Sequence, residues 1–68
     1  MDDFYTVYFT DDYEPTDSEI RYFEKAIDCE ISQGTGDWIN VYTKNPNKVK
    51  ALISLIGDYY IEEISPIL

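Results

Sequence analysis

The chain has no histidine and a single cysteine, Cys29, among its 68 residues. These absences remove the usual zinc ligand sets and the Cys–His nucleophile pair. A lone cysteine cannot form a disulfide within the chain. It fits a reducing compartment and reads as a small buried hydrophobe. Cations are scarce: five Lys and Arg stand against fourteen Asp and Glu, for a formal net charge of −9. That balance opposes direct nucleic-acid binding, whose affinity comes from Lys and Arg releasing counterions from phosphates. No apolar run approaches the ~20 residues of a membrane span, and no basic segment followed by an apolar one opens the chain as a secretion signal would. Gly and Pro number only three each. With no linker or low-complexity stretch, one domain over residues 1–68 is expected.

Hydrophobic residues make up 44% of the chain and aromatics 16%, seven of them Tyr. Disordered chains lack that aromatic and β-branched content, so a folded domain is expected. A domain this small buries only about 60% of its unfolded surface, and large aromatic rings help because each buries about 150–250 Å².

Residues 3–10 alternate as a strand, with Tyr5, Val7 and Phe9 on one face and Phe4, Thr6, Tyr8 and Thr10 on the other. A loop at 11–15 leads to Thr16-Asp17-Ser18-Glu19, the spacing of a capping box. Ile20, Phe23 and Ile27, with Ala26 beside them, then mark a helix over about 17–28. Residues 29–33 and 38–43 read as a hairpin around the turn Gly34-Thr35-Gly36-Asp37. Asn45-Pro46 opens a second helix striped by Val49, Leu52, Ile53 and Ile56 and stopped by Gly57. Residues 58–64 read as a last strand, whose alternation breaks at Glu62-Glu63 as a bulge or edge position would require. The order βαββαβ predicts an α+β, ferredoxin-like fold. In it a four-stranded antiparallel sheet, in spatial order 4-1-3-2, carries two helices on one face.

With Val7, Phe9, Ile39 and Val41 turned to the helices, Phe4, Tyr8, Trp38 and Tyr42 share the open sheet face. That face is either a set of stabilising cross-strand pairs or an interface. In topology and aromatic placement it resembles the RNA recognition motif. The basic-aromatic signature is missing from residues 38–42, and the charge opposes RNA binding.

The charge is uneven. Residues 1–37 hold eleven acids and two bases, 38–57 hold three Lys and no acid, and 58–68 hold three acids. The densest run is Asp11, Asp12, Glu14, Asp17 and Glu19, extended along the first helix by Glu24 and Asp28. Lys48 and Lys50 fall in the first turns of the second helix, where a cation opposes the macrodipole; acids from the first helix are the expected compensation, and a selected local positive spot is the other reading. Residues 11–14 offer oxygen ligands of the kind Ca²⁺ takes, without EF-hand spacing. No nucleophile–base pair is recognisable, so catalysis and cofactors are not expected.

Two readings of function follow. Carboxylates along a helix and its flanking loop can imitate a row of phosphates. In size, acidity and lack of catalytic motifs the whole chain resembles phage-encoded inhibitors of bacterial defence, including anti-CRISPR proteins and DNA mimics. That resemblance implies a viral protein in the bacterial cytoplasm, bound to a basic nucleic-acid-binding protein such as a CRISPR effector. Its contacts would be Asp11, Asp12, Tyr13, Glu14, Asp17, Tyr22, Glu24 and Asp28. The alternative is a regulatory or oligomerising module. It would form a homodimer through Phe4, Tyr8, Trp38 and Tyr42, with the acids as a solvated face.

Overall fold

A computed structural model describes residues 3–34 and 36–68 of the chain. Its elements are β1 (Tyr5–Phe9), α1 (Asp17–Ile27), β2 (Glu30–Gln33), β3 (Trp38–Tyr42), α2 (Pro46–Ile56) and β4 (Ile61–Ser65). The sheet order is β2-β3-β1-β4, with every pairing antiparallel. This is the ferredoxin-like arrangement the sequence predicts.

Alternation sets the core. Val7 and Phe9 of β1, Ile31 of β2, and Ile39 and Val41 of β3 form one cluster with Ile20, Phe23 and Ile27 of α1 and Val49 and Leu52 of α2. No polar or charged residue is wholly buried among the described residues, where Thr10 Oγ1 is a buried polar atom without a partner. Stability therefore rests on apolar burial and on how the element ends are closed.

The ends are closed as the sequence suggests. Thr16 Oγ1 accepts from the Glu19 amide at 3.2 Å while Glu19 Oε1 accepts from the Thr16 amide at 3.0 Å. Asn45 Oδ1 accepts from the Asn47 amide, with Pro46 in the first turn of α2. At the far end of α1, Asp28 adopts a left-handed conformation, φ 55°.

The elements differ from the sequence reading in several places. Residues 58–60 form a 3-10 turn rather than the start of a strand. Gly57 turns the chain at φ 107° into this turn, and the Tyr60 ring packs on Tyr13. The break at the Glu pair is a bulge: Tyr8 pairs with Glu63 and Phe9 with Ile61, leaving Glu62 unpaired on an edge strand. Cys29 is half-buried between the left-handed cap and β2, not fully buried, and Ala26 is exposed. Of the expected hairpin turn, Thr35 lies outside the described residues.

Candidate functional site: an acidic pole

The topology alternates direction from element to element, so three connections meet at one end of the molecule. They are the β1–α1 loop, the β2–β3 turn and the α2–β4 connection. Backbone bonds tie them together there. The Phe9 amide donates to the Asp37 carbonyl at 2.6 Å, and the Thr10 amide donates to the Tyr60 carbonyl at 2.9 Å.

Nine of the fourteen carboxylates collect at this end. Asp11, Asp12 and Glu14 come from the first loop, with Asp17 and Glu19 in the first turn of α1. Asp37 comes from the β2–β3 turn, Asp58 from the last connection, and Glu62 and Glu63 from the start of β4. All but Glu19 are exposed. The three connections contain no Lys or Arg. Nine is also the formal net charge; the five remaining acids equal the five cations in number. Lys44, Lys48 and Lys50 sit at the opposite end, with the β3–α2 connection and the start of α2. The single ion pair among the described residues, Lys48–Asp28 at 4.0 Å, is also at that opposite end. Among the described residues no ion pair neutralises the pole.

The residues expected to make contact divide in two. Asp11, Asp12, Glu14 and Asp17 are exposed at the pole, and Tyr22 stands out from α1 at 59% exposure. Tyr13 and Glu24 are half-buried and bonded within the fold, and Asp28 is exposed at the other end of α1. Tyr13 packs edge-on against Phe9, and its hydroxyl donates to Glu19 Oε2 at 3.0 Å. Burial, then the neighbouring Glu19 carboxylate, push the Tyr13 hydroxyl pKa upward. The bonds from Thr16 and Tyr13 hold Glu19 below the usual carboxylate range. Glu24 Oε2 accepts from the Ile31 amide on the open side of edge strand β2. Asp28 lies away from the pole, beside Lys48.

The four open-face aromatics are arranged as two cross-strand pairs. The β1–β3 register sets Tyr8 opposite Trp38, and the Phe4 and Tyr42 rings meet at 5.7 Å. Between the pairs, the Thr6 hydroxyl donates to Asn40 Oδ1 at 2.8 Å. The face is thus aromatic, polar, aromatic rather than one apolar patch. Trp38 lies over Gly34, where a Cβ would fall 2.2 Å from the indole.

Grooves open at the pole among the described residues. One, of about 400 Å³, runs between the helices past Tyr13, Tyr22, Leu55 and Ile56. Another, of about 290 Å³, lies at the end of the sheet between Tyr8, Trp38, Asp37, Glu62 and Glu63. Among the described residues no group of three or more Cys, Asp or Glu stands close enough to hold a metal ion. No described helix is long and apolar enough to cross a membrane.

Asp37, Asp58, Tyr59, Glu62 and Glu63 escape a reading along the chain because they are distant in sequence from residues 11–17. The signal that finds them is the topology itself, which sends three connections to one end. Compared with known families, with characterised proteins and with solved structures, the chain matches none.

Proposed function

We propose that the protein is a non-catalytic binding protein whose acidic pole occupies a basic, nucleic-acid-binding surface of another protein. An inhibitor of a bacterial defence effector, acting in the host cytoplasm, fits that description. The observation that carries the reading is the gathering of nine carboxylates, with no ion pair among the described residues there, onto one end. Solubility needs charge but not its concentration. A concentrated field speeds encounter with an oppositely charged surface, and the exposed Tyr22 and Tyr59 beside it supply the aromatic contacts that hold complexes.

The test is competition. The chain captures a basic nucleic-acid-binding protein from bacterial lysate, and the captured protein is then given labelled nucleic acid. Direct binding of the chain to the captured protein should weaken steeply between ~50 and ~300 mM salt, because exposed charges are screened over that range, and displacement is compared at one fixed low salt. The variant Asp11→Asn, Asp12→Asn, Glu14→Gln, Asp17→Asn should displace poorly. Undiminished displacement by that variant sinks the proposal.

A second reading is favoured by the open sheet face, where Phe4 is 46% and Tyr8 37% exposed. It makes that face a homodimer interface. Light scattering at micromolar concentration decides it: a dimer that Trp38→Ala or Tyr42→Ala converts to monomer supports it, and a monomeric native chain refutes it.

A further inference from the structure

Strict alternation along β4 would place Glu62 and Glu63 on opposite faces of the sheet. The bulge prevents this. With Glu62 unpaired between Glu63, opposite Tyr8, and Ile61, opposite Phe9, both glutamates are exposed and both residues line the groove at the end of the sheet. Bulges commonly re-aim a side chain in this way. The opposite rim carries Asp37, and Tyr8 and Trp38 provide aromatic walls. Trp38 is held there because Gly34 leaves room for its ring and nothing larger would. Both Glu and Asp37 are exposed and lie outside the one ion pair found among the described residues.

Aromatic surface beside paired carboxylates is complementary to one side chain above others. A guanidinium is planar, stacks on aromatic faces, and presents a fork of donors that matches carboxylates. An ammonium is a more strongly hydrated point charge and gains less from such walls. We propose that this groove is a slot for an arginine side chain of the basic partner. The proposal rests on reading the pole as a docking surface, and it names the groove where one partner residue is anchored.

Trp38 is the sole tryptophan of the chain, so its emission and its indole N–H resonance report on the slot without labelling. The probes are capped tri-arginine and capped tri-lysine peptides at matched ionic strength. Tri-arginine should give a saturable shift in both signals, and tri-lysine should bind several-fold more weakly. Glu62→Gln with Glu63→Gln should weaken tri-arginine about tenfold or more. Tyr8→Leu, which keeps an apolar wall and removes the ring, should weaken it as well. Asp11→Asn with Asp12→Asn and Glu14→Gln should change it by no more than about threefold, the effect of a screened general field. All substituted positions are exposed, and far-UV circular dichroism confirms that each variant folds.

Equal binding of the two peptides overturns the arginine assignment. Equal losses from the loop and groove variants show a general field, which overturns the slot and leaves the pole reading standing. No response of Trp38 to tri-arginine overturns the slot too. If salt-sensitive binding of the intact chain to a basic partner fails as well, the pole reading falls with it.

Discussion

Lys48 and Lys50 are alike in sequence: both are cations in the first turns of α2, the wrong end for a positive charge. The structure separates them. Lys48 Nζ donates to the Ile27 carbonyl at 2.9 Å and to the Asp28 carbonyl at 3.0 Å, the last carbonyls of α1. Lys50 is exposed. Replacing Lys48 with Met keeps most of the aliphatic stem and deletes both bonds. A hydrogen bond to a charged group is worth about 1.5–3 kcal/mol when well shielded. Lys48 retains a third of its side-chain exposure, so water weakens each bond and re-solvates the freed carbonyls. Releasing the ordered side chain returns up to ~2 kcal/mol of entropy. Relief of the α2 dipole returns ~0.3–1 kcal/mol more. The Asp28 pairing adds little, since that carboxylate is fully exposed. The net expected loss is about 1 kcal/mol, which in a domain of this size lowers the melting temperature by roughly 4–8 °C. Lys50→Met removes the same charge from the same helix, where the described residues offer no ion pair, and should leave the melt unchanged or slightly raised. Thermal melts of the two variants side by side provide the comparison. Lys48→Met melting with Lys50→Met, at or above the native chain, would refute the capping role.

Tyr13 links stability to alkaline pH. Its folded-state pKa is raised above the ordinary value of 10.0, so its contribution is fully present below pH 10 and lost as pH rises beyond it. Tyr13→Phe should cost about 1 kcal/mol at neutral pH and flatten the alkaline limb of urea midpoints; parallel limbs would contradict this. Gly34→Ala places a methyl 2.2 Å from the Trp38 indole, so the ring must swing away. Overpacking of this kind costs ~1–3 kcal/mol, and Trp38 emission should shift to the red; unchanged emission and melting would show that the ring does not rest on Gly34.

The fold was legible because most local signals agree. The capping box at Thr16 and Glu19, the Asn45-Pro46 start and the alternation of Val7, Phe9, Ile39 and Val41 each point to the element that forms. Residues 58–60 read as strand because Tyr59 and Tyr60 have strand propensity, while ring packing between Tyr60 and Tyr13 is a tertiary contact that propensity does not contain. The same limit applies to the site. A charge run shows which acids are neighbours along the chain, but not that Glu24 bonds the Ile31 amide or that Tyr13 serves Glu19. The acid expected beside Lys48 is present as Asp28 at 4.0 Å, and the shorter contacts to the Ile27 and Asp28 carbonyls are what a reading of side-chain charge does not contain.

The acidic pole exists only while the chain is folded. Its nine carboxylates span positions 11 to 63, and unfolding scatters them along the backbone. Folding therefore works against a self-repulsion that the denatured chain escapes, and added salt should relieve part of it. A basic partner would remove the same repulsion and would meet the concentrated charges only in the native state. Complex formation and folding are then thermodynamically linked, and the free protein is the less stable of its two forms.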